Sequence, residues 1–351
     1  MREPLDAAVL DERTRNILMA VIHSFIHTGE PVGSRTVSKR FDFGLSPATI
    51  RNIMSDLAEM GFLEQPHTSA GRMPTDQGYR FYVDHLQGIE SLSAAESALI
   101  SQHYASYCGE VDEVMAATSR VLSEVSRYAG VVLHIFTITI FKRIELIKIR
   151  GRQVLAIFVM ESGMVHNKLI LLDTEMTQEE LQHIANYLNQ EFSGQSLRTI
   201  RQRVLDRMAE EKAQYDQLSQ QALSVGAKTF GETSEGESDV YLGGTSNIMD
   251  QPEFASNLEQ MKELFRAFEE KERLIRILDK CLGDTGVHVI IGSETPLKDI
   301  RECSFVTHTY SYDNHTLGVL GVVGPKRMVY PRIMALVHHT AHVVSKILTQ
   351  G

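Results

Sequence analysis

Cysteine is scarce in this chain of 351 residues: there are three, Cys108, Cys281 and Cys303. They are far apart, odd in number and outside any CxxC pair, which argues against a disulfide framework or a cysteine zinc site and fits a reducing cytosol. Long apolar runs are lacking as well. The longest, "AGVVLHIFTITIF", is too short for a membrane helix and is interrupted by His134, Thr137 and Thr139, so it reads as strand. The opening "MREPLDAAVLDERT" carries acids and no apolar core, unlike a signal peptide. A cytoplasmic protein that leaves membranes alone is expected. Positive charge is in deficit, with a formal net charge of -10, which argues against a protein that coats nucleic acid over its whole surface. One basic face remains open, because the potential that steers a polyanion is local.

Signatures of catalysis and of cofactor binding are absent too. "LGVLGVVGP" has glycines at 318, 321 and 324, lacks the GxGxxG spacing and runs into Pro325 instead of opening a helix. In "HHTAH", His338 and His342 stand at i, i+4, a spacing able to bind a metal. Neither an acidic third ligand nor HExxH accompanies them, so histidines on a helix flank are the simpler reading. His308, Asp313 and His315 lie around an expected hairpin, where turn polarity accounts for them. "YLGGTSN" has the composition to cradle an anion, with a turn or helix cap as the plainer reading. The expectation is no enzyme, no metal and no cofactor.

What is present begins with size. The length suggests two or three domains, and 43% hydrophobic with 23% charged residues is ordinary for a globular protein. Residues 11–28 carry one apolar stripe, Ile17, Leu18, Val21, Ile22 and Phe25, and Gly29 ends it. Ser34 is placed to cap a short second helix with Arg35, Lys39 and Arg40 facing out. Ser46 caps a third, with Pro47 at its first position and Gly61 closing it. Two strands flanking the polar loop His67–Arg72 follow. Three short helices and a hairpin make a winged helix-turn-helix plan.

The third helix raises the functional question. Ile50, Ile53, Met54 and Leu57 sit at i, i+3, i+4, i+7 and should face the core. The opposite face carries Ala48, Arg51, Asn52 and Ser55, with Thr49 beside them. Arg bonds guanine bidentately, Asn does so with adenine, and small residues allow close approach, so this is a groove-reading set. Asp56 and Glu59 lie in the later half, where they repel phosphate, so the amino-terminal turns should point into the groove. The positive helix end favours phosphate there. Phosphate and wing contacts are assigned to Ser34, Arg35, Lys39, Arg40, Ser46, His67, Thr68, Ser69 and Arg72. A surface helix with solvated charges, or a winged module that docks protein, is the alternative.

Further along, "GYRFYVDHL" begins a linking helix and a polar linker follows. A helix from about 110 to 129 leads to strands at Val131–Phe141, Arg143–Arg150, Val154–Met160 and Val165–Leu172, read as one meander, and then to a helix over Thr177–Phe192. A long amphipathic helix bears Leu197, Ile200, Val204, Met208, Tyr215 and Leu218. "GETSEGESD" reads as mobile. A second amphipathic helix, about 255–282, carries Leu258, Met261, Phe265, Phe268, Ile275 and Leu278. Strands then resume and a helix over about Pro331–Leu348 ends the chain. Strands on both sides of a helical block suggest an α+β domain with an insert. The long stripes suit either packing within the chain or a homodimer interface, and an inverted repeat asks for the latter.

The blocks "EPVGSRTVSKRF", "SPATIRNIMSDLAEMGFLEQPHTSAGRMPTDQGYRFYVD", "VYLGGTSNIMDQPEF" and "LGVLGVVGPKRMVYPRIMALV" resemble, in this order, the bacterial heat-inducible transcription repressor HrcA family. Two departures are small: Ala58 stands where relatives commonly have an acid, and Ile138–Ile144 matches loosely. The resemblance implies a multidomain α+β protein. A winged helix-turn-helix unit with its linking helix would span 1–87, followed by a linker at 88–109. A GAF-like domain would span 110–193 and 285–351, with a dimerising insert at 194–284 that uses Leu258, Met261, Phe265, Phe268 and Ile275. It further implies repression of chaperone operons through a double-stranded inverted-repeat operator, CIRCE, release on heat stress, and dependence on the GroEL chaperonin. A small-molecule-sensing GAF-like regulator, whose winged domain docks protein, is the other class to separate from it.

Overall fold

The computed structural model describes residues 10–67, 70–86, 88, 91–104, 111–135, 140–161, 165–196, 199–200, 203–204, 224–228, 238–255, 258–282, 286–312 and 315–350. It is a mixed helix and sheet structure of several parts. The amino-terminal part holds α1 (Glu12–Thr28), α2 (Ser34–Arg40) and α3 (Pro47–Glu59), then strands β1 (Leu63–Glu64) and β2 (Met73–Pro74), then α4 (Asp76–Asp84). Local chemistry sets these bounds. Asp11 accepts the Thr14 N–H at 2.7 Å and starts α1. Ser46 accepts the Thr49 N–H at 3.1 Å and starts α3, with Pro47 where no N–H is needed. Met60 caps the far end, and Gly61 turns the chain out at φ 83, a conformation other residues resist. β1 and β2 pair antiparallel, Leu63 opposite Pro74, and a further bridge joins Val32 to Arg72.

Two helices follow, α5 (Ala94–Tyr104) and α6 (Val111–Ser126). The first corrects the expected linker at 88–109. Ile100 is fully buried, and Tyr104 donates to Thr118 Oγ1 at 2.8 Å, so this stretch packs on α6. Polar composition hid it because Ile100 and Tyr104 are its buried residues and the rest of the helix is at least partly exposed.

A five-stranded sheet forms the centre of the larger part. Its strands are β3 (Ala129–Ile135), β7 (Ser238–Gly243), β8 (Val287–Ile291), β9 (Cys303–Tyr312) and β10 (His315–Pro325), in the order β7-β3-β10-β9-β8 and antiparallel throughout. The carboxy-terminal helix, α10 (Tyr330–Gln350), and α6 cover one face. Gly130 and Gly243 stand opposite each other across β3 and β7, and a Cβ on either would meet the Ser119 carbonyl oxygen, at 2.0 and 2.6 Å. That bare strip lets α6 lie directly on the sheet. The "GTSN" turn sits beside it: Asn247 Nδ2 donates to Ser123 Oγ at 2.9 Å, which makes the stretch a pin on α6.

The other face is covered by α8 (Leu258–Glu269) and α9 (Lys271–Leu278). The single helix expected over 255–282 is thus two, broken at Glu270, whose ψ of 79 is not helical. Their inward residues are Leu264, Ala267, Phe268, Leu274, Ile277 and Leu278, packed with Val131, Leu133 and Phe305. Phe268, expected at a dimer interface, is 3% exposed and belongs to the chain's own core. Met261, Phe265 and Ile275 are half-buried, and the Leu258 side chain lies outside the described residues.

The expected meander also divides. β3 stays in the five-stranded sheet, while β4 (Phe141–Arg150), β5 (Gln153–Met160) and β6 (Val165–Leu171) form a separate antiparallel sheet. One face of it packs on α7 (Gln178–Phe192), through Ile144, Leu146 and Phe158 against Leu181, Ile184 and Leu188. The chain therefore leaves the first sheet after Ile135 and returns at Ser238, and this excursion replaces the expected insert at 194–284. The physical reason is pattern: β3 is buried along its whole length, whereas β4 and β5 alternate, so they belong to different layers. Of the expected long helix, Ile200 and Val204 are buried, while Leu197, Met208, Tyr215 and Leu218 lie outside the described residues, as does "GETSEGE" of the acidic stretch.

Candidate nucleic-acid interface

The interface builds outward from α3. Ile50, Met54 and Leu57 are buried against α1 and Ile53 is half-buried beside them, so the helix cannot rotate without exposing its apolar stripe. Rotation thus fixed, Ala48, Arg51 and Asn52 stand exposed on the far side, and Thr49 and Ser55 are half-buried at its edges. Among the described residues neither the Arg51 nor the Asn52 side chain takes part in an ion pair or hydrogen bond. Their donors and acceptors face solvent at no cost to the fold.

The cap chemistry leaves the helix start accessible. Ser46 is exposed, and its hydroxyl stands 2.9 Å from Thr49 Oγ1. Both already serve the helix end, yet each keeps lone pairs or a proton for a phosphate oxygen. α2 adds Arg35, Lys39 and Arg40, all exposed. Asp56 and Glu59 are exposed toward the carboxyl end, so the charge along α3 runs from a cationic start to an acidic finish. A polyanion is attracted to the first turns and repelled from the last.

Ser34 needs correction. Gly33 is the N-cap of α2, and Ser34 is its first residue, 7% exposed. Its side chain is spent on packing and is unavailable to phosphate. In the hairpin loop His67 is exposed, whereas Arg72 is half-buried and its Nε is enclosed. The Arg72 backbone bonds Val32 in both directions, at 2.8 and 2.9 Å, so the residue anchors the hairpin to the segment before α2. Thr68 and Ser69 lie outside the described residues.

The histidine spacings are resolved differently from a metal site. His308 Nδ1 bonds its neighbour's Thr309 oxygen at 2.6 Å, and its Nε2 faces His338 Nδ1 at 3.2 Å. This pair has the geometry of two neutral rings sharing one proton. Among the described residues no group of three or more His, Cys, Asp and Glu is arranged to hold a metal ion, and no helix is long and apolar enough to cross a membrane. The convergence of β9 on α10 was invisible in sequence, since 30 residues separate the partners.

Comparison with known proteins bears on the same geometry. The family model described as "HrcA protein C terminal domain" matches residues 112–334. The heat-inducible transcription repressor HrcA of Geobacter sulfurreducens is 45% identical over 340 residues, spanning 97% of this chain and 98% of that protein. The chain belongs to the HrcA family. A second HrcA repressor, from Syntrophobacter fumaroxidans, is 44% identical over 343 residues, with 97% and 98% covered. The HrcA family model begins inside α6, so α1 to α5 are matched through these nearly full-length relatives. A crystal structure described as that of a hypothetical protein at 2.2 Å resolution has a TM-score of 0.66, with 20% identity over 97% of this chain and 99% of that one, and shares the fold.

Proposed function

We propose that this HrcA-family chain is a heat-inducible transcription repressor that binds double-stranded DNA through the amino-terminal turns of α3. One observation carries the reading: Ala48, Arg51 and Asn52 are exposed and unpartnered on a helix whose opposite side is locked into the core. α1 to α3 with the β1–β2 hairpin serve as a winged helix-turn-helix, and the α6-to-α10 part, built around the five-stranded sheet, serves as the GAF-like domain. The operator is an inverted repeat of the CIRCE type, read by a homodimer and occluding polymerase. GroEL supports the active form, and heat-generated clients that occupy the chaperonin remove that support. The membership in the family supports both.

The dimer surface is placed on the outer face of β4–β6 instead of α8 and α9. Ile147, Ile149, Val165, Leu169 and Leu171 are exposed there, on the two outer strands β4 and β6 of a two-faced sheet whose other side packs α7. A second copy of the chain, offering the same face, covers it symmetrically.

The test is a salt-titrated shift assay on an inverted-repeat duplex and a scrambled one, across temperature, with and without chaperonin. Preferential binding of the repeat, a steep negative salt slope and recovery of lost binding by chaperonin are expected. Indifference between the two duplexes at every salt concentration refutes the reading.

A further inference from the structure

Two of the sequence blocks are not absorbed by DNA contact: "TDQGYR" after the hairpin and "GPKRM" before the last helix. They are about 250 residues apart in the chain and meet in space. Lys326 Nζ lies 3.0 Å from Asp76 Oδ1 and 3.1 Å from Glu302 Oε2. The other Asp76 oxygen accepts the Ser293 N–H at 2.8 Å. Arg80 places its guanidinium on Glu294, with Nε to Oε1 at 2.7 Å, and on the Val289 carbonyl at 2.5 Å. Arg327 pairs with Glu253 and donates to the Ile26 carbonyl, at the end of α1, at 3.2 Å. Each of these contacts joins the α1–α4 unit to the part built on the five-stranded sheet, or braces one that does.

Beside this seam the two parts separate around a cleft of about 870 Å³, lined by Phe25, Pro31, His67 and Tyr79 among others. Apolar continuity across the seam runs through Tyr79 against Tyr330, ring centroids 6.2 Å apart. The two parts share one buried apolar cluster, and a few directional charged bonds at the seam add the angular constraint that apolar packing lacks. Burial raises the Asp76 carboxyl, but the Ser293 N–H and the Lys326 ammonium outweigh it and hold it below the usual carboxylate value. Burial lowers the Lys326 ammonium, and Glu302 and Asp76 reverse that.

The path from seam to α3 is short. Thr75, the cap of α4, donates its hydroxyl to the Gly61 carbonyl at 2.6 Å, and Gly61 follows Met60, the cap of α3. α3, the hairpin and α4 thus move together. We infer that Asp76, Arg80, Lys326 and Arg327 are positioning residues for operator reading, which set the angle of α3 on each protomer and hence the half-site spacing the dimer accepts. The inference rests on the DNA-reading function proposed above. A rigid link gives the second half-site contact a high effective concentration at one spacing only, whereas a loosened link lowers it there and spreads it over others.

The experiment uses the full chain as wild type, Arg80→Met, Lys326→Met and the conservative Lys326→Arg. Fluorescence anisotropy is recorded on inverted repeats whose spacer changes one base pair at a time, and on a single half-site. For the two Met variants, affinity for the best spacer should fall about tenfold and the spacing profile should flatten, with half-site affinity within about twofold of wild type. Lys326→Arg should keep the wild-type profile. Half-site binding on the same sample verifies that α3 is folded. Met variants with a spacing profile as sharp as wild type overturn the inference. So do equal losses on half-site and full repeat, because the seam then acts on stability alone. A wild-type protein without preference for any inverted repeat removes the DNA-reading function itself, a result visible before any variant is made.

Discussion

Arg51 and Lys39 are both exposed cations, yet they should fail differently. In the proposed complex Arg51 bonds a base edge, so Arg51→Ala should cost about 1–3 kcal/mol on operator DNA and little on random duplex. Equal losses on both would contradict base reading. In the same proposal Lys39 on α2 meets the DNA backbone, so Lys39→Ala should weaken both duplexes alike and reduce the salt slope by about one unit. A binding isotherm at three salt concentrations separates the two outcomes. This part of the site was legible in sequence because its cues are local: Ser46, Pro47, Gly61 and the spacing of Ile50, Met54 and Leu57 lie within one short segment. Ser34 misled for a related reason. A serine before an apolar stripe is a cap signal, but Gly33 can take the extended cap conformation equally well, and the helix starts one residue earlier than read.

The elements show where local cues stop. Apolar runs separated by turns locate β3, β4, β5 and β6 as strands, but which strands share a sheet depends on contacts far apart in sequence. Phe268 shows the same limit, since its stripe fits either a partner copy or the chain's own sheet, and the sheet has it. The meeting of β9 and α10 carries a prediction. Burial lowers the His308 imidazole, and His338, His342 and His288 add to this while the Thr309 carbonyl opposes it. Burial also lowers His338 first, then His342 and His339 nearby. The folded state therefore favours the neutral rings. Below about pH 6.5 the unfolded chain takes up protons that the folded chain resists, so stability from this cluster is complete above that value and is lost as pH falls through it. The carboxylates held low, such as Asp76, lose theirs only at more acidic pH. Urea midpoints should therefore drop between pH 7.5 and 5.5, and His338→Gln should shrink that drop. An unchanged drop would mean that other groups carry the proton linkage.

At the scale of the whole molecule, reading an inverted repeat requires two α3 helices held at a set distance, and that depends on where the copies join. The two candidate surfaces make opposite demands. On α8 and α9 the inward side is already filled by the chain itself, and what remains of the expected set, Met261, Phe265 and Ile275, is half-buried. On β4–β6 the outer face leaves Leu169 at 59% and Leu171 at 57% exposed, with Ile149 at 55%. A charge on such a face would have to be desolvated without a partner on dimer formation, which costs more than loss of the apolar contact alone. Leu169→Glu should therefore give a monomer by sedimentation at micromolar concentration, whereas Met261→Glu should sediment as wild type does. Because Leu169 belongs to a different sheet and α3 packs within the α1–α4 unit, the monomer should still bind a single half-site. It should lose about 100-fold or more on the full repeat, the contribution of linking two sites on one particle. A Leu169→Glu protein that keeps the wild-type mass would move the interface elsewhere. A monomer that binds the full repeat as tightly as wild type would mean that each α3 reads its half-site alone, and that the distance between copies carries no information.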